Sequence, residues 1–229
     1  MPTQAVTPTL SVSHLKTHFS TRAGVVKAVD DVSFSVLPVG ESGSGKSMTG
    51  YSIMGLIDSR GRVVDGSILL QGGELRGLAP EAMRQVRGDR IAMIFQDPMM
   101  TLNPVLRIDT QMIEAVSAHH DIGKSAARAM ARDALARVGI ASPDERLLAY
   151  PHQFSGGMRQ RVAIAIALLN KPDLIICDEP TTALDVTIQG QILYEMQKLC
   201  RESGTALIWI THDLSVVAGL ADISAMTWA

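Results

Sequence analysis

The sequence is short of aromatic residues, cysteine and net charge, and each shortage excludes something. Aromatics make up 4% of the chain and there are 2 cysteines. Cys177 and Cys200 have no metal-ligand spacing between them, so neither a disulfide framework nor a zinc site is expected. Both are expected as core or helix-face thiols in a reducing compartment. The 21 Lys+Arg against 23 Asp+Glu leave a net charge of −2, which supplies no basic field for a nucleic-acid partner. Long apolar runs are missing too: the longest, Val162–Leu169, falls far short of the roughly 20 residues that span a bilayer. The start, MPTQAVTPTLSVSH, has no basic segment leading into an apolar one and reads as no secretory signal. What is present is core-forming material. With 46% hydrophobic and 19% charged residues over 229 positions, the chain is no disordered polypeptide. Its length suits one domain, or one domain with a lobe inserted into it.

Continuous apolar runs alternate with helical patterns, which predicts parallel strands covered on both faces. The candidate strands are 90–95 (RIAMIF), 173–177 (DLIIC) and 205–211 (TALIWIT); SFSV at 33–36, with the alternation near Leu10–Val12, reads as antiparallel edge material. From Thr187 to Ser203, the residues Ile188, Ile192, Leu193, Met196, Leu199 and Cys200 form one apolar helical stripe, and Gly204 is a natural stop. Ala127, Met130, Ala131, Ala134, Leu135 and Val138 form a second stripe, with Arg128, Arg132 and Arg137 on a solvated face. Between Gln96 and Leu169 the strand signal vanishes. The expected organisation is a single domain over 1–229, with an α/β core from 1–95 and 170–229 and a helical lobe from 96–169.

Gly40-Glu41-Ser42-Gly43-Ser44-Gly45-Lys46-Ser47 matches the phosphate-binding loop G-x-x-x-x-G-K-[ST]. Glycines at 40, 43 and 45 allow the backbone to turn its N–H groups inward as an anion nest, and the following helix, with Met48 in its first turn, points its positive end at the same place. Lys46 has the reach for β- and γ-phosphates and the Ser47 hydroxyl suits Mg²⁺. The apolar run Leu174–Cys177 ends in Asp178-Glu179-Pro180. Two acids after a strand are ordinarily a plain loop feature. Beside a phosphate loop, Asp178 suits the outer sphere of Mg²⁺ and Glu179 suits a general base for an attacking water. Ser155-Gly156-Gly157 opens a further helix with free backbone N–H groups. One nucleotide needs one phosphate loop, so this second helix start is expected to serve a nucleotide held by another copy.

These motifs, with Thr182-Ala183-Leu184-Asp185 and Thr211-His212-Asp213 in the same order, resemble the ATPase subunit of an ATP-binding-cassette transporter over nearly the whole chain. The resemblance implies a phosphate-loop NTPase core of mainly parallel sheet, with an antiparallel edge portion and an inserted helical lobe. It implies ATP and Mg²⁺ as ligands, with Ser47, Gln96 and Asp178 toward the metal. Glu179, His212 and Gln96 are implied in hydrolysis, Asp185 in coupling across a dimer, and Phe19 in stacking on adenine. DPMMTLNP at 97–104 and PHQFSGGMRQR at 151–161 resemble the dipeptide, oligopeptide and nickel importers. That group implies a second ATPase subunit (the same or a different chain), two membrane permeases, an extracytoplasmic solute-binding protein, and a peripheral place on the cytoplasmic face of the membrane. Met99 and Met100 could line the permease contact, although buried packing is the commoner use of a methionine pair. A soluble, non-transport cassette ATPase and a catalytically impaired fragment are the rival expectations.

Two departures from the family pattern matter. Ser33-Phe-Ser-Val-Leu-Pro38-Val39 runs almost directly into Gly40, leaving little room for the strand that should precede the loop. Either Phe34–Val39 serves as that strand or the strand is missing, and Pro38 fits a central ladder poorly. The family pattern also continues beyond Trp228-Ala229, through further strands and a carboxy-terminal extension, so the chain reads as truncated there.

Overall fold

The computed structural model describes residues 7–37, 41–43, 47–97, 101–181, 186–211 and 223–225. Its strands are β1 (Leu10–Thr21), β2 (Gly24–Val36), β3 (Glu41–Gly43), β4 (Gly61–Leu70), β5 (Gly73–Glu74), β6 (Ile91–Ile94), β7 (Leu174–Asp178), β8 (Ala206–Ile210) and β9 (Ile223–Ala225). The helices are α1 (Ser47–Ile53), α2 (Pro80–Val86), α3 (Ile108–Ser117), α4 (Lys124–Arg137), α5 (Pro143–Leu147), α6 (Gly156–Leu168) and α7 (Val186–Ser203), with a 3₁₀ turn at Pro151–Gln153.

Two sheets organise them. A four-stranded sheet of order β2-β1-β4-β5 is antiparallel, and Leu10 faces Val36 as Val12 faces Phe34. The edge material expected near 10–12 and 33–36 is therefore one pair of adjacent strands. A five-stranded sheet of order β6-β7-β8-β3-β9 is parallel.

The parallel sheet explains its own composition. Alternate residues of a strand point to opposite faces. Ala92, Ile94, Ile175, Cys177, Leu207 and Trp209 join an apolar cluster with α3, α4, α6 and α7, while Ile91, Met93, Leu174, Ile176, Ala206, Ile208 and Ile210 join another with α1 and the antiparallel sheet. Because both faces are covered, the strands need unbroken apolar runs rather than an alternating pattern. Each such side chain contributes roughly 1.5–3 kcal/mol on burial.

The helices of 108–168 share their core with this sheet: Met112, Val116, Ala127, Ala131, Leu135 and Val162 are buried in the same cluster as Ile175 and Leu207. Helix α4 differs from its expected stripe in two places. Ala127, Ala131 and Leu135, four residues apart, are buried, whereas Met130 sits at the edge of that face, 36% exposed. Arg128 is not simply solvated. Its Nη1 donates to the buried Asp109 at 2.9 Å, and Asp109 also accepts from Arg107 at 2.8 Å, which fixes the start of α3 against α4. No helix among the described residues is long and apolar enough to cross a membrane.

Candidate functional site

The carboxyl ends of β6, β7 and β8 lie on one edge of the parallel sheet, the edge where ligands of open α/β sheets bind. Each strand delivers its motif residue there. Gln96 follows β6, Asp178 closes β7 with Glu179 just beyond, and Thr211 follows β8. Helix α1 brings in Ser47.

The residues meet in pairs. Ser47 Oγ donates to Asp178 Oδ1 at 2.6 Å, across 131 residues of sequence. Gln96 Nε2 donates to Glu179 Oε2 at 3.3 Å. Asp178 is buried, 3% exposed, so its charge needs the donors around it. Glu179 has φ +46°, a left-handed conformation that a non-glycine residue adopts at a cost. Its backbone N–H donates to Ile210 O at 2.9 Å, which ties the strained residue to the end of β8.

Two residues at this site have no place in the sequence reading. Tyr51 stands one helical turn after Ser47, on the same face of α1. Burial raises the pKa of its phenol, and the Asp178 charge and a hydrogen bond to Asp178 raise it further. Its ring stacks on Phe95, centroids 6.3 Å apart, so α1 also touches the residue before Gln96. Gly50 is the second. A Cβ there would lie 3.3 Å from Ile176 Cγ2 and 3.5 Å from Ile210 Cδ1, so its missing side chain sets how closely α1 rests on β7 and β8. The i, i+4 spacing from Ser47 is the signal that finds Tyr51. Gly50 has no such signal, since its role depends on the sheet beneath. Cys177 is a spectator, a buried thiol whose pKa is pushed well up by burial and then by Cys200 and Asp178.

The phosphate-loop motif is placed differently from the expected open cradle. Glu41, Ser42 and Gly43 form β3, in parallel register with Leu207, Ile208 and Trp209 on one side and Ile223, Ser224 and Ala225 on the other. Phe34–Val36 belong to β2 in the other sheet. The motif's own residues thus hold the central position that a preceding strand would fill. A strand flanked on both sides directs its N–H groups into the two ladders, so positions 41–43 add no donors to an anion nest. Gly40, Ser44, Gly45 and Lys46 lie outside the described residues, as do Asp185, His212, Met99 and Met100.

The remaining expected residues among those described make contacts of their own. Ser155 caps α6 and its Oγ accepts from Met158 N at 3.3 Å; Ser155 and Gly156 are exposed. Arg159 and Arg161 of the same segment turn back to Phe154 O and Val138 O, so they brace the helix. Met48 packs against the cluster shared by α1 and the antiparallel sheet. Phe19, half-buried on β1, sits opposite Gly61 of β4 and Val26 of β2.

A parallel sheet with a serine at the start of α1 bonded to a strand-end aspartate, and a glutamine bonded to the next glutamate, defines the class: a phosphate-loop nucleotide hydrolase. The family described as ABC transporter matches residues 35–182. The chain is 50% identical over 227 residues to the dipeptide transport ATP-binding protein DppD of Bacillus subtilis, covering 96% of this chain and 68% of that protein. It is 48% identical to the oligopeptide transport ATP-binding protein OppD of Haemophilus influenzae, covering 94% of this chain and 68% of that one. In fold it resembles the dimeric ATP-binding cassette MJ0796 in a post-hydrolysis state with ADP and Pi, at TM-score 0.78 and 24% identity, over 92% of this chain and 90% of the other. The chain belongs to the ABC transporter family, among its ATP-hydrolysing subunits.

Proposed function

We propose that this chain binds and hydrolyses ATP to drive import of peptides through a membrane permease. The observation that carries the chemistry is the convergence of Ser47 on Asp178 at 2.6 Å beside the Gln96–Glu179 pair. Near-50% identity to dipeptide and oligopeptide transport ATP-binding proteins favours peptides as the solute.

The donor set suits Mg²⁺, a hard ion that takes oxygen ligands. Ser47 and Gln96 would hold it directly and Asp178 from the outer sphere, and when bound it neutralises charge on the transferring phosphoryl group. Glu179 takes a proton from the attacking water, and its φ of +46° fixes where that carboxylate stands. Gln96, bonded to it, orients the same water. His212 is assigned to the γ-phosphate, Lys46 with Gly40–Gly45 and Met48 to the phosphate cradle, and Phe19 to adenine. Ser155 and Gly156, exposed at the start of α6, and the half-buried Gly157 suit a nucleotide held by a second subunit, with Asp185 coupling the two sites. In this reading 1–95 and 170–229 are the nucleotide-binding core and 96–169 the lobe that faces the partner. Two permeases and an extracytoplasmic solute-binding protein complete the importer, with this subunit peripheral on the cytoplasmic face.

Glu179→Gln tests the assignment. The variant should keep ATP binding while turnover falls by about a hundredfold or more, the scale of a lost general base. Wild-type turnover in that variant refutes the role given to Glu179.

A further inference from the structure

We infer that Gly61 is a positioning residue for the base of the nucleotide: the bare backbone of β4 at this point seats the ring of Phe19. The inference rests on the reading of Phe19 as the adenine-stacking residue and adds the part of the fold that holds it.

Phe19 and Gly61 are direct partners in the antiparallel β1–β4 pair. A Cβ built on Gly61 would come within 2.6 Å of Phe19 Cε1, 2.7 Å of Phe19 Cζ and 2.5 Å of Ile57 Cγ2. Real carbon atoms do not approach so closely, so the Phe19 ring and Ile57 occupy the volume a side chain would need. An aromatic residue lying across a glycine on the neighbouring strand is a recognised device for fixing both.

The same strand is tied to the phosphate side of the site. Two residues before Phe19, Thr17 Oγ1 bonds Ser52 Oγ at 2.7 Å, and both residues are buried. Ser52 lies on α1, the helix that starts with Ser47. One hydrogen bond thus sets β1 relative to the helix that meets the phosphates, and Gly61 sets the ring relative to β1. A stacking platform needs both, because a base contributes stacking energy only when the ring lies parallel to it at van der Waals distance. The three atoms nearest to a Cβ on Gly61 all belong to the side chains of Phe19 and Ile57. The substitution should therefore move the ring and leave the strand pair intact.

The test uses the full chain with two probes, ATP and inorganic tripolyphosphate, which has no base. Gly61→Ala should weaken ATP by about tenfold, the scale of one lost base–aromatic stack, and leave tripolyphosphate binding unchanged. Phe19→Leu should do the same, and the double variant should bind ATP no more weakly than Phe19→Leu alone, because both act on one contact. Fluorinated phenylalanine gives a readout that needs no ligand. The chain has 4 phenylalanines, and Gly61→Ala should shift the resonance that Phe19→Leu removes while sparing the others. An unmoved Phe19 resonance overturns the proposal. So does a Gly61→Ala chain that keeps ATP affinity where Phe19→Leu loses it, or one that loses ATP and tripolyphosphate alike. If Phe19→Leu itself binds ATP normally, the adenine reading falls and this inference with it.

Discussion

Strands β7 and β3 lie in the same parallel sheet, separated by β8, and they are filled in opposite ways. Strand β7 is Leu174-Ile-Ile-Cys-Asp178, five residues that are all buried, and its acids emerge only where the ladder ends. Strand β3 is Glu41-Ser42-Gly43, three residues drawn from the phosphate-loop motif itself. In β7 the ladder uses the backbone, and the chemistry uses the side chains of Asp178, its last residue, and of Glu179 beyond it. In β3 the two compete for the same backbone groups. A gap between two parallel strands leaves backbone donors and acceptors unpaired on both sides, and each costs about 1–3 kcal/mol when buried. The segment nearest in the chain closes that gap whether or not its side chains favour strand. The half of the site that depends on a full strand therefore brings Ser47 to Asp178 and Gln96 to Glu179. The half that depends on free N–H groups has lost three of them to the sheet.

The sharpest way to test that contrast is to give the sheet a strand of its own. Inserting Gly-Glu-Val-Leu-Gly-Leu between Pro38 and Val39 places Pro38 in a turn, where its fixed φ is favourable, and supplies apolar residues to the gap. Burying three or four of them should raise Tm by on the order of 10 °C. Glu41–Gly43 would then leave the ladder, and ATP affinity should rise by about tenfold or more, the scale of one or two hydrogen bonds to a charged group. Calorimetric melting and ATP titration on the two chains decide it. Equal Tm and equal affinity would mean that β3, as it stands, costs the protein nothing.

The next test probes the seat of α1 on the β7 side. Gly50→Val would push carbon into Ile176 and Ile210 and should lower stability by about 1–3 kcal/mol, the usual range for overpacking. Gly190 on α7 is the control, since nothing lies within 4 Å of a Cβ built there. Gly190→Ala should stabilise by about 0.5–1 kcal/mol through helix propensity alone. Denaturant unfolding of both variants should give opposite signs. A neutral Gly50→Val would show that α1 rests more loosely on the sheet than its contacts imply.

How far the sequence was legible follows the same physical line. The parallel strands were readable at 90–95, 173–177 and 205–211 because burial on both faces forces an unbroken apolar run. The strand at Gly61–Leu70, with Arg62, Asp65 and Ser67 among its residues, is partly exposed and gives no such run. Ser47, Asp178, Glu179 and Gln96 were legible because each sits at a fixed offset from a strand or a glycine motif. The departure before Gly40 was legible as a shortage, but its outcome was not. Which segment fills the place between β8 and β9 depends on where those strands lie, and no local pattern in ESG predicts a strand. Helix α4 shows the limit on a smaller scale: the stripe was correct at Ala127, Ala131 and Leu135, yet Arg128 found Asp109, an acid on another helix.

Tyr51 supplies the most specific test, because its phenol reaches Asp178 and is itself assigned no part in holding the metal. Its phenol is held protonated by burial and by the neighbouring carboxylate, so the folded chain keeps that proton above the ordinary tyrosine value of about 10. The sign follows from linkage. Above that value the unfolded chain releases the proton and the folded chain does not, so the stability associated with Tyr51 is complete at lower pH and declines as pH rises toward the folded value. Tyr51→Phe keeps the ring on Phe95, removes one hydrogen bond to Asp178, and should cost about 1 kcal/mol at neutral pH. Above about pH 10 the gap between the two chains should narrow, since only the parent carries a phenol at this position that must ionise beside Asp178. Urea unfolding of parent and variant at about pH 8 and about pH 10.5 measures that gap directly, with the other tyrosines common to both chains. A gap that stays constant between the two conditions would remove Tyr51 from Asp178's surroundings.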